Sequence, residues 1–517
     1  VALKSAPIQS GDAAAGGAAL GLEGAQPTGY EPLCVDLDGT LVKSDTLLDT
    51  VVVLARQSPR SLLMFPSWLA QGKAAFKRKV SSIAEIDVVY LPYNQLLLEY
   101  LRQEHAAGRE IYLATGADTL LAERVAAHLG IFSGVLASDG STNLTGHNKL
   151  AAFQERFPGG FCYIGNARPD VPLLTHCVQP MVANPHRGLS AGLRAASVTP
   201  VRTFRDARSP VKAWLRAIRL HQWAKNTLIF LPLLLAHVRA VGPAVAAFMA
   251  FLSFGLAASA TYIVNDLLDL EADRHHARKR RRPFAAGDLS PITGVATIAI
   301  FLASSLAIAL LLPRVVEALS PDHALAKPWA FLEWLAIYAI STTAYSLRLK
   351  RMVLVDVIVL SGLYTIRILA GSRATGVVVS PWLAAFSIFF FLSLAFVKRF
   401  SELESVRIRN EATGTLAVKG RGYRVSDLEQ LRSFGTASGY ASVVVFALYI
   451  GNEVAKDLYP HYSRLWLLVP VLLLWLSRLW LIASRGELHE DPVVYAITDK
   501  RSLLLGVVVV GIVLSAL

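Results

Sequence analysis

Cysteine is scarce: three residues in 517, Cys34, Cys162 and Cys177, all in the first half and without the spacing of a disulfide framework or a zinc site. Core packing in a reducing compartment is the expected role of all three. Charge is scarce as well. Charged residues make up 17% of the chain against 54% hydrophobic, and mean hydropathy is +0.45, which excludes an ordinary soluble enzyme. Acids are the rarer sign, 38 against 51 Lys and Arg, for a net charge of +13. The basic clusters lie beside long apolar runs, so they point to membrane orientation, phosphates and lipid headgroups rather than nucleic acid. Residues 1–29 lack a basic stretch followed by an apolar core, and their Ala/Gly-rich composition predicts a disordered tail.

From residue 30 to 198 short apolar runs alternate with helical stretches. "PLCVDLDGT", "EIYLATG", "GVLAS" and "GFCYIGN" read as buried parallel strands of a Rossmann-like α/β domain. A mostly helical insert occupies 50–107. Residues 199–219 read as a basic, amphipathic linker. From 220 to 517 the chain reads as an all-α membrane bundle, with uncharged runs near the length needed to cross a bilayer. Nine spans are predicted, at 226–239, 243–264, 291–312, 329–346, 352–371, 381–397, 434–451, 464–483 and 502–517. With a cytoplasmic N-terminus, the loops at 265–290, 346–351, 398–433 and 484–501 share the cytoplasmic side and hold most of the membrane half's Lys and Arg.

The first of these loops carries the densest chemistry, "YIVNDLLDLEADRHHARKRRRPFAAGD". Asp266, Asp269 and Asp273 are spaced i, i+3, i+7, which on one helix puts them within about 60° of each other. Three carboxylates on one face call for a cation, and hard oxygen ligands with open positions suit Mg²⁺, or Mn²⁺, bridging to a diphosphate. His276, Lys279 and Arg282 follow as donors to phosphate oxygens. Asp356 and Arg367 lie in one predicted span, roughly 16 Å apart along its axis. Each should face the bundle interior, Asp356 as a catalytic-cavity group. Lys225 and Lys350 sit at span ends and are candidate phosphate contacts.

The pattern Asn265, Asp266, Asp269, Asp273 running to R-P-x-x-x-G resembles the first aspartate-rich motif of the UbiA superfamily of intramembrane prenyltransferases. A second paired-Asp motif of its aromatic prenyltransferases is missing from "FVKRFSELESVRIRNEATGT". The fuller pattern, with Glu271, Arg274, His276, Lys279, Arg280, Arg282 and Pro283, is similar to the decaprenyl-phosphate phosphoribosyltransferase branch. So are "HQWAKN" with Lys225, "YSLRLK" with Tyr345 and Lys350, Asp356 with Arg367, and "KRFSEL" with Lys398 and Arg399. The resemblance implies transfer of 5-phosphoribose from phosphoribosyl diphosphate to a polyprenyl phosphate, in a bacterial cytoplasmic membrane with the site on the cytoplasmic face. It assigns substrate binding to Lys225, Asn265, Arg274, His276, Lys279, Arg282, Tyr345, Lys350, Arg367, Lys398 and Arg399. Two alternatives stay open: an aromatic prenyltransferase in which Glu402 and Glu404 replace the second motif, and a non-catalytic polyprenyl-lipid binder.

In the first half "VDLDGTL" ends a predicted strand with Asp36 and Asp38, which can divide nucleophile and proton-transfer roles. This resembles the first motif of the haloacid dehalogenase (HAD) phosphatases, with Thr115 as the second, Lys149 as the third and "GNARPD", Asn166 and Asp170, as the fourth. The resemblance implies a small helical cap, and Mg²⁺ held by Asp36, Asp38, Asn166 and Asp170. The economical substrate is the 5-phosphate of the sugar lipid made by the membrane half.

Overall fold

The computed structural model describes residues 31–139, 141–410, 422–488 and 491–517; the tail expected over 1–29 lies outside them. The first half is built on six parallel strands: β1 (Leu33–Val35), β2 (Ile111–Asp118), β3 (Gly134–Ser138), β4 (Cys162–Gly165), β5 (Pro180–Ala183) and β6 (Arg202–Phe204). They lie in the order β3-β2-β1-β4-β5-β6. β1 is in the middle, buried throughout, with Cys34 beside Tyr112 of β2 and Tyr163 of β4. Continuous apolar strands of this kind are covered on both faces. The order in which strands are added reverses between β1 and β4, which opens a crevice beyond the strand ends where Asp36, Asp38, Asn166 and Asp170 lie. The sheet outlasts the expected boundary, since β6 falls inside the predicted linker.

Helix α1 (Thr46–Gln57) follows β1, capped by Asp45, whose side chain accepts from Leu48 N. It packs on α2 (Lys73–Ile83), and α3 (Gln95–Ala106) and α4 (His147–Arg156) follow along the chain. α1, α2 and the turns between them make the cap over the crevice.

The second half opens with the short amphipathic α5 (Pro210–Ile218), which buries Ala213 and Ala217. It continues with α6 (Val241–Leu268), α7 (Leu270–Arg274), α8 (Pro291–Leu319), α9 (Ala330–Leu347), α10 (Val355–Thr375), α11 (Pro381–Asn410), α12 (Leu428–Ile450), α13 (Leu468–Ser484) and α14 (Lys500–Ala516). Small residues on α6 let α8 approach, and Ser253 and Ser305 donate to each other's backbone carbonyls at 3.0 and 2.8 Å. Such pairing holds helices together where lipid offers no hydrophobic drive.

Of the nine expected spans, six are met by long apolar helices. Among the described residues six helices are long and apolar enough to cross a membrane: those beginning at residues 241, 291, 355, 381, 425 and 462. α9 and α14 form where spans were expected but fall short in length or apolarity. At 226–239 there is no long helix: 3-10 turns over Leu220–Phe230 lead into a five-residue helix, Leu231–Leu235. Pro232 supplies no N–H there, and Trp223 is tied back to Ser259 by its indole N–H at 3.0 Å.

The halves are joined through the loop between α6 and α8. Arg274 is buried and donates to Asp49 at 2.7 Å, to Ser44 at 3.1 Å and to the Ala285 carbonyl at 3.2 Å. Gly287 lies at φ +72°, and a Cβ there would meet Lys43 Cβ at 2.9 Å and Ser44 N at 3.0 Å. Both the conformation and the approach demand glycine. Removing one partner of a buried ion pair costs about 3–5 kcal/mol. Arg274→Ala should therefore release the N-terminal half earlier in limited proteolysis, whereas Asp49→Leu with Arg274→Met should restore much of the resistance.

Candidate functional site

Two sites emerge. In the N-terminal half, β1 delivers Asp36 to the crevice, where Lys149 of α4 donates to it at 2.7 Å. Tyr163 of β4 bridges onward: Lys149 Nζ lies 2.9 Å from its hydroxyl, which donates to Asp170 Oδ1 at 2.8 Å. The other oxygen of Asp170 accepts from the backbone of Asn166 and Ala167 at 3.0 and 2.9 Å. Asp38 accepts from Thr46 N, at the start of α1, at 2.7 Å. Gly39, at φ +73°, leaves room for Asn166, whose Nδ2 lies 1.9 Å from where a Cβ would stand. Thr115 is fully buried on β2 and accepts from Ala117 N at 3.0 Å. The four expected motif segments thus lie at one end of the sheet. Lys77 of the cap, unremarked in the sequence, reaches across to the Gly116 carbonyl at 2.6 Å.

Burial pushes Asp36 up to about 6, against the opposing pull of Lys149. Burial, with Asp45 close by, pushes Asp38 up to about 7 despite its bond to Thr46 N. Carboxyls in this condition gain from a divalent cation.

In the membrane half a cavity of about 630 Å³ opens between α6, α9, α10, α11 and the 3-10 turns. Of the expected residues, Lys225, Asn265, Tyr345, Arg367 and Lys398 line it. Glu402, expected only under the prenyltransferase alternative, lines it too, as do Arg219, Arg278, Tyr338, Tyr364 and Asp491, which had not been singled out. Cations outnumber acids in this wall, which suits phosphate. Asp491 receives Lys225 and Lys398, both at 2.8 Å, and the Tyr364 hydroxyl at 3.3 Å. Burial would raise its pKa, yet the two ammonium groups outweigh it and hold the carboxyl well below the usual range. Arg367 donates to Asn226 at 2.8 Å and Tyr338 at 3.2 Å.

Other expected residues stand elsewhere. Asp356 is wholly buried and paired with Arg399, and accepts from Tyr423 at 2.5 Å; neither Asp356 nor Arg399 lines the cavity. Arg399 also donates to Glu402 and Tyr345, both at 2.7 Å, so it braces two wall residues from behind. Arg274 belongs to the clasp with Asp49. His276 and Lys279 are exposed outside the cavity, and Lys350 lies 3.7 Å from Asp269.

The acidic triplet does not share one face, because α6 ends at Leu268 and the chain turns at Asp269 before α7. Asp269 points outward toward Arg56 and Lys350, at 3.9 and 3.7 Å. Asp266 and Asp273 do converge: one Arg282 nitrogen lies 3.1 Å from the first and 2.7 Å from the second, and Arg219 of the cavity wall reaches Asp266 at 2.5 Å. Burial raises the Asp273 pKa, opposed by Arg282. Among the described residues no three His, Cys, Asp or Glu side chains gather tightly enough to hold a metal alone. Two carboxylates beside an asparagine still fit Mg²⁺, which keeps waters and substrate phosphate in its shell. In this structure Arg282 bridges the two carboxylates. Glu402 and Glu404 cannot act as a second acidic pair: two residues apart on α11, they diverge, and Glu404 is turned to Arg407 at 2.5 Å.

A sequence profile of the UbiA prenyltransferase family matches residues 227–491. The chain belongs to that family, as a multi-pass membrane transferase. It is 40% identical to the uncharacterized protein y4nM of Sinorhizobium fredii, over 92% of this chain and 89% of that one. It is 32% identical to a decaprenyl-phosphate phosphoribosyltransferase of Mycobacterium tuberculosis, over 56% of this chain and 89% of that one. A UbiA homolog from Archaeoglobus fulgidus, solved with GPP and Mg²⁺, is 16% identical with a TM-score of 0.43, over 59% of this chain and 99% of that one.

A pH effect follows. Asp36 and Asp38 hold protons more tightly folded than unfolded, so the folded domain carries the extra protons between pH 3.8 and about 7. Its stability therefore falls as pH rises through that window. A divalent cation competes with those protons. Mg²⁺ should raise the melting temperature of the N-terminal half by a few degrees at pH 8 and by little at pH 5, and Asp38→Asn should abolish most of the difference.

Proposed function

We propose that the membrane half transfers 5-phosphoribose from phosphoribosyl diphosphate to a polyprenyl phosphate. We further propose that the N-terminal half removes the 5-phosphate from the product, and that both sites face the cytoplasm. The observation that carries this reading is the cavity wall: Arg219, Lys225, Arg278, Arg367 and Lys398 converge there beside the Asp266–Asp273 pair. Such a wall holds several phosphates at once, which suits an acceptor that is already an anion. An oxygen of the lipid phosphate forms the new bond to the sugar's anomeric carbon as the bond to diphosphate breaks, and the electron pair leaves with the diphosphate.

Mg²⁺ beside Asn265, Asp266 and Asp273 would neutralise the departing charge. The chain's own share is orientation. Lys225 and Lys398, fixed by Asp491, and Arg367, fixed by Asn226 and Tyr338, hold phosphate oxygens in line. Similarity to the mycobacterial phosphoribosyltransferase supports the choice of donor, as does the divergence of Glu402 and Glu404, which weakens the prenyl diphosphate alternative.

In the N-terminal site Asp36, paired with Lys149, attacks phosphorus and forms an acyl phosphate. Asp38 gives its proton to the departing sugar oxygen, and water then releases phosphate.

The test uses the full chain in nanodiscs with Mg²⁺, phosphoribosyl diphosphate and a polyprenyl phosphate. Diphosphate, a sugar lipid and inorganic phosphate are expected. Asp36→Asn should cut phosphate release about a thousandfold and leave diphosphate release intact. Asp491→Asn should slow diphosphate release about a hundredfold and leave hydrolysis of an aryl phosphate unchanged. Product only from a prenyl diphosphate and an aromatic acceptor would overturn the donor assignment, and turnover of neither would leave a lipid binder.

A further inference from the structure

The cap of the N-terminal half exposes an apolar surface that its own core does not use. Over Pro59–Met64 no residue is buried. Leu63 is 83% exposed, Met64 53%, Leu69 52% and Leu62 36%, while Phe65 and Trp68 turn inward and pack on each other at 5.7 Å. Isolated exposed leucines are ordinary, but a contiguous group on a tight turn marks a contact surface. The charge around it is one-sided. From Ser58 to Ala84 there are Arg60, Lys73, Lys77, Arg78 and Lys79 and no acid.

The position of the turn identifies its occupant. Helix α1, immediately before it, already touches the ends of the membrane helices: Val52 packs against the cluster of Ile263, Leu267, Phe284 and Leu289, as does Ile298 of α8. Arg56 donates to the Leu268 carbonyl, the last residue of α6, at 3.1 Å. Pro59 is three residues beyond, within about 11 Å of Arg56 along the backbone. An apolar turn ringed by bases at this height matches the interfacial region of a membrane with anionic lipids.

We propose that Pro59–Gln71 is a foot seated in the leaflet on the side of the N-terminal half, with Leu62, Leu63, Met64 and Leu69 among the acyl chains and Arg60 and Lys73 on lipid phosphates. The foot is continuous with α2, whose Lys77 reaches the Gly116 carbonyl beside Thr115. Seating it holds the cap, and the crevice beneath, against the surface where a lipid-linked sugar phosphate emerges. Only this delivery role rests on the phosphatase reading.

The test is a depth measurement on the full chain with Cys177→Ser, Cys34 and Cys162 being buried. Nitroxide labels are placed singly at Leu63→Cys, Leu69→Cys and, as a control, Glu155→Cys, in nanodiscs containing phosphatidylglycerol. Labels at 63 and 69 are expected to collide several-fold more with oxygen than with a water-soluble nickel chelate, and the label at 155 the reverse. Nickel access at 63 equal to that at 155 overturns the foot, and so does exclusion of both reagents with spin–spin broadening, the mark of a second copy. This readout needs no turnover, so it decides the foot even where the phosphatase reading fails. Delivery has its own check: Leu63→Glu with Met64→Glu should slow phosphate release from the sugar lipid about tenfold and leave an aryl phosphate unaffected, whereas equal rates on the lipid before and after overturn it.

Discussion

A carboxylate taken out of water needs a cation within reach, and the loop from Asp266 to Asp288 is organised around that demand. Asp266 and Asp273 are both buried and share Arg282, with Arg219 adding a second cation to Asp266. Arg274, next in sequence to Asp273, turns the opposite way and neutralises Asp49 of the N-terminal half. Alternate residues of one short segment thus serve two protein halves. The segment cannot move toward either without exposing a buried charge in the other.

That arrangement links the two sites by direct contacts. Asp38 is held by Thr46 at the start of α1. Asp49, one turn further along the same helix, grips Arg274. Asp273 reaches Arg282, Arg282 reaches Asp266, and Asp266 reaches Arg219 in the cavity wall. Each step is a charge-assisted or backbone hydrogen bond, so the relative placement of the crevice and the cavity is fixed by polar geometry as well as by apolar packing.

Much of this was legible in the sequence where function is local. β1, β2 and β4 carry their motif residues at or just beyond their ends, and apolar runs leading to Asp36, Thr115 or Asn166 mark both strand and candidate site. The same holds for Lys225 and Asn265, whose motifs sit at the ends of apolar runs. What stayed hidden depends on partners far along the chain. Asp356 and Arg399 are 43 positions apart, and no spacing rule shows that burial pairs them instead of opening them to a cavity. Asp491 had no signal beyond being an acid near the final apolar run. The triplet misled because its periodicity assumed an unbroken helix, whereas the chain turns at Asp269. The predicted span at 226–239 misled because apolar composition alone does not register what Pro232 and the anchored Trp223 do to the backbone.

The Asp491 contact with Lys225 joins residues 266 positions apart, nearly the full extent of the membrane half, and this bears on how the protein is made. At about 5–20 residues per second, Lys225 leaves the ribosome roughly a quarter-minute to a minute before its counter-ion exists. Lys398 waits as well. Until the segment carrying Asp491 is inserted, the nascent bundle carries unneutralised ammonium groups at its water-facing rim, where solvent can still shield them. Closure of the chamber is thereby tied to synthesis of that segment, and a chain terminated before Asp491 would present an open, cation-lined cleft to membrane quality control.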